Sequence, residues 1–254
     1  MIEHLSYSSI SSYLGCGANW KYHYIDQVPT LTSPELVFGS AFHGTVESFV
    51  GNNHQGDLAT LWQEKWGKQL ECDQKVDWGT DTPEFFRDEG KRILSHKDIQ
   101  AGIFSIKAAK SDQGAKIEQK VELHVPGVPL PVIGYIDIIT EDGIPGDFKT
   151  SGKSWSADKA LNEMQPLFYL AALNQAGIQT PGWHFRHFIF VKTKTPQFQM
   201  IEHTHNPGQL MWLFKMIQGV WKGIESEVFP TNPTGWKCSP SYCEYWSICR
   251  GRWG

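Results

Sequence analysis

The sequence predicts a mixed α/β fold, a central sheet flanked by helices, and three observations carry that reading. Helical patterning dominates residues 8–110, β-branched alternation takes over from Lys116 to Thr150, and a helix, two strands and a last helix follow. The order of helices, three strands, helix, two strands and helix suits one mixed sheet with helical layers packed on it.

Each element has its own signal. From Ser8 to Ile25, a serine able to cap a helix precedes Ile10, Tyr13 and Leu14, so a short helix is expected, then an aromatic turn through Tyr22 and Tyr24. Leu36 to Val50 is a helix with Val37, Ala41, Val46 and Phe49 on its apolar side and His43 and Glu47 on its polar side. Gly39 and Gly44 there leave room for a close neighbour. Further helices are expected at Leu58–Leu70 and from about Pro83 to Ala109. Strands follow at Ile117–Val125, Val132–Thr140 and Gly143–Thr150, the last after a tight Glu141-Asp142-Gly143 turn. A helix from about Ala157 to Ala176, strands at Trp183–Lys192 and Gln197–His203, and a helix at Pro207–Ser226 complete the chain.

With 254 residues, 40% hydrophobic and 20% charged, the chain can bury one sizeable core with a small appendage. A net charge of −4 gives no global attraction to a polyanion, so contacts with nucleic acid have to be local. Apolar runs such as Phe188–Val191 fall far short of the roughly 18 residues a membrane span needs, and no membrane partner is expected. Met1–Ser12 has no basic region leading into an apolar stretch, so a cytoplasmic location is expected. The five cysteines, Cys16, Cys72, Cys238, Cys243 and Cys249, suit a metal site better than a disulfide framework.

The strongest chemical signal is a pair of neighbouring strands. Gly134-Tyr135-Ile136-Asp137 and Asp147-Phe148-Lys149-Thr150 are joined by a short connection, so Asp137 and Asp147 can meet at one end of the sheet. Side chains two apart on a strand share a face, which puts Lys149 beside Asp147. Hard oxygen ligands of this kind suit Mg²⁺ or Mn²⁺, with the Phe148 carbonyl as a further ligand and Lys149 placing a water or countering developing charge. Catalysis is therefore expected to rest on Asp137, Asp147 and Lys149. The chain lacks a Gly-x-Ser-x-Gly elbow, a His-Glu-x-x-His and a His-x-Glu paired with Cys-x-x-Cys, which removes serine hydrolases, zinc proteases and base deaminases.

Gly-Tyr-Ile-Asp followed by Asp-Phe-Lys-Thr resembles the core of the RecB-like branch of the PD-(D/E)XK nucleases. Gly39-Ser40-Ala41-Phe42-His43 is similar to that family's Gly-x-x-x-His helix, and Gln165-Pro166-Leu167-Phe168-Tyr169 to its Gln-x-x-x-Tyr helix. The resemblance implies a restriction-endonuclease-like core with a helical iron-sulfur subdomain joining the two ends of the chain. It also implies that His43 is a metal ligand. Glu47, one turn on, can orient His43, while Gln165 and Tyr169 can order water, Lys149 or a phosphate. Pro166 leaves two options, a bent helix or a helix that starts there. Glu118 and Glu122 both lie on the first strand, and Glu122 is preferred as the one facing the site.

Cys16 with Cys238, Cys243 and Cys249 makes four thiolates if the ends meet, enough for an iron-sulfur cluster or tetrahedral zinc. Cys72 is left to pack as a small hydrophobe. One early and three late cysteines resemble the iron-sulfur nucleases, among them the AddB nuclease domain, the CRISPR adaptation exonucleases and phage RecB-like exonucleases, and imply a [4Fe-4S] cluster. Gly17 stands where many relatives carry proline. DNA contacts are expected from Lys153, Trp155, Lys192 and Lys194, with Tyr242, Tyr245 and Trp246 able to stack on unpaired bases.

These readings divide the chain into residues 1–35 and 227–254 for the two parts of the iron-sulfur subdomain, 36–110 for a helical region and 111–226 for the nuclease core. The function they imply is a Mg²⁺- or Mn²⁺-dependent exonuclease on single-stranded DNA ends, working from the 5′ end, in a bacterial, archaeal or phage setting. A CRISPR integrase or a helicase or recombination protein is the implied protein partner. The alternative is a catalytically silent nuclease-fold module that binds DNA or a partner.

Overall fold

A computed structural model describes residues 2–72, 75–112 and 114–251. The helices are α1 (Tyr7–Gly15), α2 (Gly17–Tyr24), α3 (Pro34–Gly51), α4 (Leu58–Glu71), α5 (Pro83–Leu94), α6 (Lys97–Ser105), α7 (Ala157–Asn162), α8 (Gln165–Gln175), α9 (Leu210–Glu225) and α10 (Trp246–Cys249). Strands β1 (Lys110–Ser111) and β2 (Gly114–Ala115) make a small ribbon. The main sheet runs β3 (Ile117–Leu123), β4 (Val132–Ile139), β5 (Pro145–Ser151), β6 (His184–Val191) and β7 (Gln197–Thr204), in sequence order. β5 and β6 pair in parallel, while β4–β5 and β6–β7 are antiparallel. The sheet is mixed because α7 and α8 form the crossover that a parallel pair requires.

Chain contacts divide the molecule into two units. The first comprises residues 1–31, 122–134 and 208–254, and the second residues 32–121 and 135–207. By this division α9, read above with the core, falls in the first unit.

In the second unit, α3 starts where Ser33 accepts the Leu36 N–H and Pro34 fills the first turn, a position in which its missing N–H costs nothing. One stripe of α3, including Phe38, Phe42, Val46 and Phe49, is buried against Trp62, Phe86, Ile103, Phe148 and Phe190. Close packing there depends on Gly90 of α5, where a Cβ would overlap the Trp62 ring. Gly90→Val is expected to lower the melting temperature by several degrees, given a typical overpacking cost of about 1–3 kcal/mol. An unchanged melt would show that the tryptophan can move.

Several expectations change. The aromatic segment after Cys16 is helix α2, set off from α1 by extended backbone at Cys16. The long helix expected to Ala109 is broken at Ser95–His96, where the His96 ring accepts the Asp98 N–H and caps a new helix. Gly39 and Gly44 face only ordinary contacts, with Thr150 and Lys65, so close approach does not require them. Cys72 is exposed, its thiol donating to the Lys68 carbonyl, and it does not pack as a hydrophobe.

The first unit is held by aromatic packing of Tyr13, Trp20 and Phe229, with Tyr13 donating to the Val228 carbonyl. A Cβ on Gly17 would press on the backbone of Phe229 and Pro230, which gives that glycine a packing reason. Among the described residues no helix is long and apolar enough to cross a membrane.

Candidate active site

The site is built in the second unit where β4 and β5 stop pairing through their backbones. Their registered pairs are Ile138–Gly146 and Ile139–Pro145. One step further, the Phe148 N–H donates to Asp137 Oδ2 at 2.6 Å, so a side chain replaces the ladder and brings the Asp137 carboxylate to β5. Asp147 is 2% exposed, and Lys149 Nζ stands 2.6 Å from its Oδ2. That contact lies outside hydrogen-bond geometry, and among the described residues Asp147 Oδ2 has no hydrogen-bond donor.

From Lys149 a line of contacts continues into α8. Lys149 Nζ donates to Gln165 Oε1 at 2.9 Å, and Gln165 Nε2 donates to the Tyr169 hydroxyl at 2.8 Å. α8 begins at Gln165 with Pro166 in its first turn, so the proline opens the helix and does not bend it.

On the other side, α3 presents His43 and Glu47. His43 Nδ1 is 3.8 Å from Asp137 Oδ2, and one ligand atom from each of His43, Glu47 and Asp137 lies within 4.8 Å of the others. Among the described residues no other group of three histidine, cysteine or acidic side chains is so close.

The electrostatics follow from crowding two aspartates and a glutamate beneath one lysine. Burial, then the charge of Asp147, push the Asp137 carboxyl well above its usual range. Burial and then Glu118 raise Glu47 to about 7. Burial lowers His43 to about 4, so its imidazole is neutral with a lone pair free. Lys149 is disfavoured as a cation by burial, yet Asp147 and Asp137 outweigh this and raise it. Such an acid-rich, nitrogen-bearing set fits a hard divalent cation.

Other expected residues fall differently. Glu118 is the strand glutamate whose charge reaches Glu47, whereas Glu122 lies 3.8 Å from exposed His124. Trp155 is buried, with its indole N–H on Ser151 Oγ, its ring against His187 and the Lys159 ammonium 4.1 Å above it, so it has no face for a base. Lys153 and Lys194 are exposed, while Lys192 lies over the Phe38 ring and is lowered by burial. Tyr245 is buried too, its hydroxyl 3.2 Å from His23 Nδ1, and it cannot stack.

Sequence reasoning missed His187. It is fully buried on β6 in register with Asp147, its Nδ1 3.0 Å from His203 Nε2. Burial, then His203 and Lys149, lower His187 to about 3, leaving an uncharged imidazole pair behind the lysine. The alternation of β6 was a usable signal, since His187 shares a face with Ile189 and Val191.

In the first unit Cys16, Cys238, Cys243 and Cys249 all line one cavity of about 1130 Å³, and all are free thiols.

The family model of the PD-(D/E)XK nuclease superfamily matches residues 4–250. The chain belongs to this superfamily. The fold agrees with that of the "Putative exonuclease" from Eubacterium rectale, at a TM-score of 0.59 and 12% identity over 91% of this chain and 85% of that one. The structure of SSO0001 also matches, with 12% identity over 97% and 96% of the two chains but a TM-score of 0.33. No curated protein matches significantly. Within the PD-(D/E)XK frame, the five-stranded mixed sheet and its helices are the expected nuclease architecture.

Proposed function

We propose that this PD-(D/E)XK nuclease is a divalent-cation-dependent exonuclease acting on single-stranded DNA ends from the 5′ side. The observation that supports the nuclease part of the reading is the continuous line Asp147–Lys149–Gln165–Tyr169 beside His43, Glu47 and Asp137, on the interior strands β4 and β5 and the helices next to them. His43, Asp137 and Asp147, with the Phe148 carbonyl, would hold Mg²⁺ or Mn²⁺, and Glu47 would orient His43 or join it. When bound, the cation supplies Lewis-acid polarisation of a phosphoryl oxygen and acidifies a water. The chain's own groups do the rest. Lys149, fixed between Asp147 and Gln165, offers its ammonium to the charge that builds on the phosphate, and Tyr169 fixes Gln165. Work in CRISPR adaptation or phage recombination, beside an integrase or helicase, is the setting this reading favours.

The test is digestion of 5′- and 3′-labelled single-stranded and duplex DNA with Mn²⁺ or Mg²⁺. Cation-dependent loss of the 5′ label from single strands is expected. No cutting by the wild type under either cation would sink the nuclease reading and leave a DNA-binding module.

Acidity offers a second check. Raised carboxyl pKa values mean that the folded chain binds protons the unfolded chain has released. Through Glu47, cation-free stability therefore falls as pH rises from about 4.5 to about 7. A bound cation replaces those protons, so saturating Mn²⁺ should raise the melting temperature more at about pH 8 than at about pH 5.5. A rise independent of pH would contradict Glu47 and Asp137 as the cation's surroundings.

For the four cysteines we propose a [4Fe-4S] cluster. What supports the reading is that all four line one cavity, where a group held by them would tie the two ends of the chain together.

A further inference from the structure

Trp236 is the most exposed large apolar side chain among the described residues, at 72%, and Tyr242 beside it is 65% exposed. Their rings meet edge to face with centroids 5.5 Å apart. A tryptophan left in water forgoes the burial that usually justifies so large a ring, and an exposed aromatic pair marks an interaction surface.

The backbone that carries the pair is hydrogen-bonded on both sides. Turn hydrogen bonds from Cys238 to Gly235, and from Tyr242 and Cys243 to Ser239, fix the backbone on either side. Lys237 Nζ accompanies it at 5.5 Å from the Trp236 ring centre, and Arg250, 5.2 Å over the Trp246 ring, lines the same cavity as the pair. Both cations are exposed, and among the described residues neither forms an ion pair. Glu244 is the one acid between residues 231 and 251, and its Oε1 accepts from Asn19 at 3.2 Å.

We infer that Trp236 and Tyr242, with Lys237 and Arg250, form a platform for single-stranded DNA, on which unpaired bases stack while the cations meet phosphates. The inference rests on the nuclease reading for the identity of its ligand. Aromatic faces bind any base without regard to sequence, and cations between them follow the backbone. A duplex keeps its base faces covered, so the platform distinguishes single strands from double. An apolar protein partner would leave the two cations without a role.

The experiment uses full-length protein carrying Asp147→Asn, so that the strand stays intact, and a labelled oligothymidylate of roughly 15 nucleotides. Adding Trp236→Ala should weaken binding by about 5- to 150-fold, the range for losing one stacked base. Trp236→Phe should recover most of it, and Tyr242→Ala should weaken binding in the same way. Duplex binding and the melting temperature should not move. Unchanged affinity for the single strand, or equal losses on single strand and duplex, would overturn the platform. Cutting by otherwise wild-type protein is scored separately. A platform without cutting would refute the nuclease reading alone, and cutting with unaltered binding would refute the platform alone.

Discussion

Lys149→Met should lower cutting of single-stranded DNA by about 10²–10³-fold, with the loss in kcat and little change in KM, because Lys149 meets charge that develops only in the transition state. The same change should destabilise the fold. Asp147 is 2% exposed and Lys149 Nζ is its ion-pair partner, so removing the lysine strands a buried carboxylate. Stranding of this kind costs about 3–5 kcal/mol. The double change Asp147→Asn with Lys149→Met removes both charges and should melt higher than Lys149→Met alone while remaining inactive. That pairing separates chemistry from folding. If Lys149→Met cuts normally, or if the double variant regains activity along with stability, the lysine has only a structural part.

The second large effect concerns the cysteines. Replacing Cys16, Cys238, Cys243 or Cys249 by serine should remove nearly all bound iron and sulfide from anaerobically purified protein. The melting temperature should drop by more than about 10 °C, because metal centres that join chain ends contribute free energy comparable to the whole stability of a domain. Cys72→Ser is the internal control. Its thiol is exposed and donates only to the Lys68 carbonyl, so neither iron content nor melting should change. Wild-type protein without iron and sulfide, or a serine variant that melts unchanged, would refute the cluster.

Much of the site was legible because strand and helix periods are rigid rules. Asp147 and Lys149 had to share a face, His43 and Glu47 had to share a turn, and a short connection had to bring Asp137 near Asp147. What was hidden depended on local backbone or on distant packing. On β3, Glu118 and Glu122 are four apart, so alternation alone does not separate them, and the φ of +48° at Glu118 is a local departure that the residue pattern does not announce. The fate of Trp155 was set by β6 and β7, whose His187 and Gln199 enclose it, and nothing beside it in sequence announces that burial. The break at His96 rests on a side-chain cap of a kind that histidine rarely provides. Pro166 pointed to two structures, and only the position of Met164 before the helix decided between them.

The first unit is drawn from three separated stretches of chain, residues 1–31, 122–134 and 208–254. During synthesis α1 and α2 precede the second unit, but Trp20 and Tyr13 find their partners Val228 and Phe229 only after some two hundred further residues have been made. The second unit, whose last residue is Pro207, has all its parts earlier, so it should fold during synthesis while the amino-terminal helices wait with aromatic surface uncovered. That interval is when a chaperone has the most to hold. A nascent chain long enough for Pro207 but not Val228 to have left the ribosome should carry a protease-resistant second unit and a protease-sensitive segment 1–31.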